Sequence, residues 1–532
     1  MNKSQLFSNF ATIYCATILM TEVTMKSSKF LVLLVSLLLM ASCSSVNDNL
    51  VEMIPDDALG VVSVNMPDIL KKAGINEGGE LKIPESVKAI VDENDASPLC
   101  TMLTDLPYLG LDTDGKVFAF LTNKTFASVV LVPLGDEEAA KKTVARRTGG
   151  DFQQVEGLDC IYREDNLFVV HDNVLLIATV NRNLELDKVA MQAAIILNKT
   201  RKSIADNDQV TRIIEADGDI NAYLQQDGLR LLLKRSKTYR EIAQKLPLVE
   251  IFTASDIKAY ECHLDLDQDM ARLTTHIVAD EASDYNKLLD QTLTDADAKF
   301  LKAIPNSMDY IVTMSVKGQQ FVQLQQIKQL VDMFKKLPYV GRIDLEGILS
   351  SIDGPIAVGL ARDPHLEGEW NAVVATKTTN PDMILGQISS FATSMGQAPE
   401  IYDGEYIYQY ENKMIKLGVN DGILYFKMLD YEQTEGYAYE LENVRKVFET
   451  SNIGLYINPQ VAQGGTFTYG MTNHYDGAGQ FVPTEKGMHS AQALLKVLCS
   501  IKPAKAYDDM LDDEGDVSST LGNAIDQLKP VE

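Results

Sequence analysis

Residues 54–65 read IPDDALGVVSVN, and residues 304–315 read IPNSMDYIVTMS. Each stretch begins with Ile-Pro, continues through a polar turn and ends in a run of alternating, mostly β-branched residues. Such a run is typical of a β-strand with one buried face. The same turn and strand in two distant parts of the chain indicate an internal repeat, which would set the fold of both copies.

Other stretches repeat in the same order along the chain. The pairs are LPYLG (106–110) with LPYVG (337–341), DGKVFAFL (114–121) with DGPIAVGL (353–360), SVVLVPLGDEEAAKKTVAR (128–146) with AVVATKTTNPDMILGQISS (372–390), YREDNLFVVHDNVLLIAT (162–179) with YQYENKMIKLGVNDGILYFK (408–427), and DINAYLQQ (219–226) with NIGLYINP (452–459). Short polar turns between alternating runs are typical of antiparallel hairpins. The sequence therefore predicts an α+β fold of two tandem homologous halves, each with an antiparallel meander sheet plus packing helices.

The predicted organisation combines this repeat with the composition of the two chain ends. Residues 1–24 are an upstream extension, 25–42 a lipoprotein signal peptide, 43–52 a tether, 53–300 the first α+β repeat, 301–505 the second α+β repeat and 506–532 an acidic C-terminal tail. Because MKSSKF from Met25 is a normal signal start, translation is expected to begin there. An unusually long signal sequence is the alternative.

The signal segment ends in a distinctive cysteine. An apolar run, Phe30–Met40, follows Lys26 and Lys29 and is about eleven residues long, whereas a membrane-spanning helix needs roughly twenty. Basic residues, a short apolar run and small residues in this order predict a secretory signal. The ending LMASC (39–43) resembles a bacterial lipobox, which implies that Cys43 is lipidated and tethers the protein to a membrane. An ordinary signal followed by a chance cysteine is the alternative.

The composition excludes several partner classes. The net charge is −27, and removal of residues 1–42, which carry three lysines and one glutamate, would make it −29. Such a charge repels nucleic acid and anionic lipid surfaces. Four cysteines follow Cys43 and allow three disulfide pairings that the sequence cannot distinguish, although their context favours buried free thiols. These four are Cys100, Cys160, Cys262 and Cys499.

Two motifs resemble ligand loops but lack a required residue. Gly110–Lys116 matches the start of a phosphate-binding loop, but Val117 stands where Ser or Thr would bind magnesium. We interpret it as a turn and expect no nucleotide. Asp265, Asp267 and Asp269 have the alternate spacing of a calcium loop without its glycine and its final glutamate. A solvated hairpin tip is the favoured interpretation, so we expect no metal and no cofactor.

Two sets of residues are candidate sites, each with an ordinary structural alternative. If the hairpin that carries Asp265, Asp267 and Asp269 turns near Gln268, Glu261 and His276 lie opposite each other on one face. In that position they form either an acid–base pair or, more commonly, a surface cross-strand pair. Tyr406, Tyr408 and Tyr410 alternate on one predicted strand and so share a face. They are candidate ligand-binding residues for a sugar or peptide; packing beneath a helix is the alternative.

The opening of the predicted mature chain resembles a family of uncharacterised lipoproteins from Gram-negative anaerobes, which carries a domain-of-unknown-function label. The matching residues are Ile54-Pro55, Asp57-Ala58, Val61 to Val64 and Lys71-Lys72-Ala73-Gly74, after the lipobox cysteine. The resemblance implies an outer-membrane lipoprotein of the cell envelope, facing the periplasm or the cell surface. Of the functional residues of that family, the resemblance assigns only one to this chain, the lipidated Cys43.

These patterns predict a membrane-anchored, non-catalytic binding or scaffold protein for an envelope protein, peptide or glycan. A cleft between the two halves would be the natural ligand site. No recognisable catalytic motif occurs in the sequence, so we expect no catalytic residues. The alternative is a periplasmic hydrolase with a dispersed site.

Overall fold

The computed structural model describes residues 50–500 apart from several internal segments. These segments are 78–79, 94–105, 113, 164, 182–183, 236–256, 280–286, 288–289, 337–342, 364–369, 395, 411–412, 431–435, 460, 462–464 and 473–475. The lipobox, Cys43 and the acidic tail lie outside the described residues.

Strands account for most of the described regular structure. They are β1 (Gly60–Asn65), β2 (Asn76–Glu77), β3 (Glu80–Leu81), β4 (Lys116–Leu121), β5 (Phe126–Pro133), β6 (Gln153–Val155), β7 (Leu158–Arg163), β8 (Asn166–His171), β9 (Val174–Val180), β10 (Ile220–Gln225), β11 (Ile257–Leu266), β12 (Ala271–Ala279), β13 (Tyr310–Lys317), β14 (Ile352–Arg362), β15 (Trp370–Thr378), β16 (Glu400–Tyr402), β17 (Glu405–Tyr410), β18 (Lys413–Asn420), β19 (Ile423–Asp430), β20 (Ile453–Ile457), β21 (Gly465–Met471) and β22 (Asp476–Pro483).

Helices lie between and beside these strands. They are α1 (Met66–Lys72), α2 (Glu85–Glu93), α3 (Glu137–Thr148), α4 (Leu186–Leu197), α5 (Asp208–Ile214), α6 (Gln226–Arg235), α7 (Gly318–Phe321), α8 (Gln325–Lys335), α9 (Leu345–Ser350), α10 (Pro381–Ser394), α11 (Glu442–Thr450) and α12 (Ser490–Ser500), with 3-10 turns at Leu106–Tyr108, Ile204–Asp206, Ala298–Lys302 and Ala438–Glu440.

Twenty of these strands form one antiparallel sheet, and β2 and β3 form a separate hairpin. The hydrogen-bonded order is β6-β7-β8-β9-β5-β4-β1-β10-β11-β12-β22-β21-β20-β13-β14-β15-β19-β18-β17-β16. The predicted α+β class with antiparallel strand pairing is therefore confirmed.

The strand order has the same connectivity on the two sides of the β12–β22 pair. We call β1 and β4–β12 the N-terminal strand set, and β13–β22 the C-terminal strand set. In the first set Gly60 lies opposite Leu121 and Leu224. In the second set Tyr310 lies opposite Leu360 and Ile457. The two sets thus share both strand order and this central register.

The two strand sets are joined by backbone pairing and by one helix. Along β12 and β22, Leu273 lies opposite Gly479 and Thr275 lies opposite Gly477. Helix α12 follows β22 but packs on the N-terminal set, where the side-chain amide of Gln492 donates to the Ala73 carbonyl at 3.0 Å. The helix contributes Ala491 and Leu495 to the core of that set.

Both faces of the N-terminal set are covered. On one face, α3 packs Ala140 and Val144 against apolar residues of β8 and β9. On the other face, α4 packs Val189, Ala190 and Ala193. Its apolar residues recur at helical spacing, so one side of the helix lies on the sheet. Leu50 and Val51 are buried in the same core, so ordered packing includes the last residues of the predicted tether.

The C-terminal set is covered differently. Helix α10 packs Ile384 and Leu385 on one face of β17–β19. On the other face, Ile423, Tyr425 and Leu429 of β19 are buried in a cluster with Phe300 and Phe448. The candidate site lies beside that cluster.

A buried ion pair ties α1 to the strand framework. The ammonium of Lys72 lies 2.7 and 2.6 Å from the two carboxylate oxygens of Asp219, whose side chain is 1% exposed. The Leu266 amide donates to the same carboxylate at 2.6 Å. Burial raises the pKa of Asp219, while Lys72 and the Leu266 amide oppose that rise. At the matching position of the C-terminal set, Asn452 is neutral and donates to the Thr294 carbonyl.

We predict that Lys72→Met lowers the free energy of unfolding by about 3 kcal/mol, because it leaves a buried carboxylate without its cation. The double variant Lys72→Met/Asp219→Asn should recover most of that loss. Urea unfolding of both variants measures the effect. Lys188→Met is the control, because its pair with Glu185 is solvent-exposed and worth at most about 1 kcal/mol. Equal losses in the single and double variants would contradict the prediction.

Candidate functional site

One face of β16–β19 presents two rows of side chains. We call this surface the open sheet face; its residues are Tyr402, Glu405, Ile407, Lys416, Gly418, Tyr425 and Lys427. Strand register sets the rows, with Tyr402 opposite Glu405, Gly418 opposite Tyr425, Ile407 opposite Lys416, and Lys416 opposite Lys427. Since alternate residues of a strand point to opposite faces, all of them share one side of the sheet.

The same register positions in the N-terminal set are apolar. Counting from the equivalent hairpin turns, they are Leu158, Cys160, Leu167, Val169, Leu176 and Ala178, all buried against α4. Lys416 stands where Leu167 would be, and Lys427 stands where Ala178 would be. The C-terminal set therefore has charged side chains at positions that the N-terminal set uses for its core.

The two lysines are placed directly opposite each other. Like charges in this cross-strand position destabilise a sheet. The ammonium of Lys416 lies 3.9 Å from a Glu405 carboxylate oxygen. That of Lys427 lies 4.5 Å from the ring centre of Tyr425 and 5.4 Å from that of Tyr437. Within the described part of the chain, no ion pair or hydrogen bond joins Lys427 to another residue.

The protonation of this face follows from burial and neighbouring charges. Burial lowers the pKa of Lys427, as does the charge of Lys416, whereas Glu405 raises it. The Tyr425 hydroxyl donates to the Glu405 carboxylate. Burial and that carboxylate raise the pKa of Tyr425 above its ordinary value, so the hydroxyl stays protonated. The face therefore offers a partly desolvated ammonium next to a hydrogen-bonded carboxylate.

Glycine at position 418 makes this arrangement possible. A Cβ atom there would lie 2.5 Å from the Tyr425 hydroxyl oxygen and 3.3 Å from the Glu405 Cγ. The tyrosine on β19 reaches across β18 to the glutamate on β17 because nothing projects between them. A side chain at this position would push the hydroxyl away from the carboxylate.

The charges around Tyr439 are already balanced. Lys302 and Arg445 lie 5.5 and 5.1 Å from the ring centre of Tyr439. Lys302 pairs with Asp421 at 3.0 Å, and Arg445 pairs with Glu449 at 3.5 Å. By comparison, Lys427 has no carboxylate partner of this kind among the residues that the structure describes.

The junction between the strand sets carries a second polar row. Glu261 lies opposite His276, as predicted, and His276 lies opposite Asp476 on β22. The His276 imidazole bonds the Asp476 carboxylate at 2.7 Å. Glu261 accepts from the Gln209 amide at 2.9 Å. The predicted pair is therefore in register, but each member has another hydrogen-bond partner.

The predicted tyrosine stripe lies on the opposite face from the open sheet face. Tyr408 is 6% exposed and packs with Ile384 and Leu385 of α10, and Tyr406 packs against the same cluster. Tyr406 and Tyr408 therefore pack beneath a helix. The side chain of Tyr410 lies outside the described residues, as does Cys43.

Other sequence-predicted features are placed as follows. Lys116 begins β4, and its ammonium donates to the Glu215 and Ala216 carbonyls at 3.1 Å. At the predicted hairpin tip, Asp267 pairs with Arg272 at 2.5 Å. Among the described residues, no group of three or more His, Cys, Asp or Glu side chains could hold a metal ion.

The two described cysteines are free thiols. Burial raises the pKa of Cys160 to about 11, and it does the same for Cys262. Thiols with pKa values this high are unreactive at neutral pH.

A polar cavity of about 310 Å³ lies near the start of the C-terminal set. Asp295, Asp353, Lys299 and Lys377 line it together with Asp297. The Asp297 carboxylate accepts from the Lys299 amide and caps the following 3-10 turn. We interpret this carboxylate as structural.

Sequence reasoning missed Glu405, Lys416 and Lys427. Their signal was present in the aligned stretches, because runs that are apolar in 162–179 contain lysines in 408–427. Charged residues in one stretch at positions that are apolar in the other indicate that the two faces have different surroundings.

Comparisons with known proteins give low similarity. No family model matches the chain, and no curated protein matches it. Crystal form III of TP0453 aligns with a TM-score of 0.27 and 11% identity over 46% of this chain and 86% of that one. Crystal form I of TP0453 gives 0.27 and 9% over 46% and 82%. The DNA polymerase III subunit beta from Pseudomonas aeruginosa gives 0.11 and 9% over 69% and 89%. These likenesses carry no functional argument.

We predict that Lys416→Met raises the pKa of Lys427 and that Glu405→Gln lowers it, because the first removes a like charge and the second removes an attracting one. NMR titration of the Lys427 side chain in selectively labelled protein measures both shifts. Lys188→Met, on α4 of the other strand set, should leave the pKa of Lys427 unchanged. If the pKa of Lys427 is the same in Lys416→Met as in the native protein, the two ammonium groups do not interact.

Proposed function

We propose that the protein is a lipid-anchored lipoprotein of the cell envelope, held at the outer membrane through Cys43. In this proposal it binds an anionic ligand on the open sheet face as a non-catalytic binding or scaffold protein. The observation that carries the proposal is the pair of directly opposed lysines, Lys416 and Lys427, on a face that is buried core in the other strand set.

The energetics of the lysine pair favour an anion. Two ammonium groups in opposing positions repel each other, and an anion between them replaces that repulsion by two attractions. The Lys427 ammonium has N–H donors to offer, and the aromatic rings of Tyr425 and Tyr437 stabilise its charge without using those donors. Local departures from good sheet pairing of this kind are expected at functional sites.

The chemistry of the face argues against docking of an apolar helix. In the N-terminal set, α4 covers apolar residues. An apolar helix placed on the C-terminal face would bury Lys427, which has no carboxylate partner among the described residues, and burying an unpaired charge costs several kcal/mol. A polar, anionic ligand fits this face better.

We also infer that the two strand sets are tandem homologous halves. The matching strand orders, the shared register around β1 and β13, and the ordered sequence pairs support this inference. In this view one copy kept a helix over its meander, and the other converted the same face into a binding surface.

The hydrolase alternative has one supporting observation, the His276–Asp476 pair at 2.7 Å on an exposed face of the junction. A carboxylate can orient a histidine that acts as a general base. Under this alternative the protein turns over chromogenic ester or glycoside substrates and His276→Ala abolishes that turnover. Under the binding proposal neither form shows turnover.

The anchor is tested by intact-mass analysis and membrane fractionation of the native protein beside a Cys43→Ala form. We expect acyl mass on Cys43 and partition with outer membranes, because two or more acyl chains anchor a protein stably. The Cys43→Ala form should carry no acyl mass and leave the membrane fraction. A native protein that is soluble and carries no lipid would overturn the anchor.

The anion site is tested with acetate and inorganic phosphate as minimal probes. We expect a saturable shift of the Lys427 side-chain NMR signal, and a loss of affinity of about tenfold in Lys416→Met, equivalent to about 1.4 kcal/mol. Lys188→Met is again the matched control and should bind like the native protein. Failure of both anions to shift Lys427 would contradict the proposed function.

A further inference from the structure

The open sheet face contains more than a pair of cations. Glu405 lies in the row beside the lysines, accepts from the Tyr425 hydroxyl, and lies 3.9 Å from Lys416. A carboxylate at this distance repels a dianion more strongly than a monoanion. Its other lone pairs can accept hydrogen bonds from hydroxyl groups. These properties favour a ligand with a single negative charge per unit and many hydroxyl groups.

Two exposed aromatic rings flank the charged residues. Tyr402 is 74% exposed at the β16 edge, and Tyr437 is 40% exposed beside the Lys427 ammonium. From β16 to β19 there are three strand spacings, or about 14 Å. A ligand that contacts both rings is therefore longer than one sugar ring. Tyrosine supplies a flat apolar surface with a polar edge, which suits the C–H face of a sugar next to its hydroxyls.

The sheet surface between the rings of Tyr402 and Tyr437 is shallow and polar. Gly418 has no side chain, so the buried Tyr425 hydroxyl reaches Glu405, whose carboxylate is part-exposed. Ile407 lies next to it in the neighbouring row, opposite Lys416. This surface alternates polar and apolar contacts over a short distance, as a saccharide does.

We infer that the open sheet face binds an acidic oligosaccharide, with one carboxylate between Lys416 and Lys427. Its hydroxyl groups donate to Glu405, and its ring faces lie against Tyr402 and Tyr437. The inference rests on the proposed function, since it assigns the chemical class of the anion bound at the same lysine pair. The chain's net charge of −27 opposes densely charged polyphosphate ligands such as nucleic acid.

The test compares four probes on the full mature chain by isothermal titration calorimetry. They are a tetramer of galacturonic acid, its neutral methyl ester, monomeric galacturonate and inorganic phosphate. We expect the acidic tetramer to bind at least tenfold more tightly than each of the other three. The neutral ester lacks the carboxylates, the monomer cannot reach both tyrosines, and phosphate is repelled by Glu405.

Two variants separate this inference from the proposed function. Tyr402→Ala, at a surface position, should weaken tetramer binding at least fivefold, a larger factor than for phosphate or acetate, while Lys188→Met should leave the binding of all the probes unchanged. Lys427→Met should weaken all anions. If phosphate binds more tightly than the tetramer, or Tyr402→Ala has no effect on the tetramer, the saccharide inference is wrong and the anion site stands. If no anion binds the native protein, both proposals fail.

Discussion

Alternation of side chains along a β-strand is the constraint on which this structure depends. In β18 and β19, Ile415, Leu417 and Leu424 pack under α10, while the residues between them point to the other side. One strand can therefore hold the core on one face and carry charges on the other. Because the faces are independent, Lys416 and Lys427 occur in strands whose inward residues still form a full hydrophobic cluster.

The covering of each face decides whether it is core or surface. Backbone hydrogen bonds within the sheet are the same whether a face is covered or not, so the sheet continues through both strand sets without a break. In the N-terminal set, α4 removes one face from water and apolar residues there stabilise the fold. In the C-terminal set, Tyr425 on the matching face is buried with Phe300 and Phe448, whereas Glu405, Lys416 and Lys427 keep part of their surface exposed. There, charged residues are tolerated, and they become available to a ligand.

Between the strand sets, the connection combines backbone pairing with side-chain chemistry. The β12–β22 ladder extends the sheet, and α12 crosses from one set to pack on the other. Near α12, the Lys72–Asp219 pair holds α1 against the β11–β12 hairpin. Asp219 and Asn452 occupy matching positions, so a charged contact in one set corresponds to a neutral one in the other. Symmetry of the strands therefore does not require symmetry of the side chains.

The sequence by itself determined the α+β class, the antiparallel pairing within hairpins, and the opposition of Glu261 and His276. These depend on local information, namely alternation within a run and the length of the turn that joins two runs. It also indicated that Tyr406 and Tyr408 share a face, and it left open whether a ligand or a helix covers that face. Only the tertiary structure decided this, because α10 lies on it.

The opposed lysines were likewise a result of tertiary structure. Lys416 and Lys427 belong to one hairpin, so their register could be counted from the turn at Asn420-Asp421-Gly422. Their significance could not be read from that count. It depends on whether a distant segment covers the face and on rings such as Tyr437, which follows in the chain and lies over Lys427. A strand pattern records that two faces differ, whereas the packing of other segments decides which face meets water.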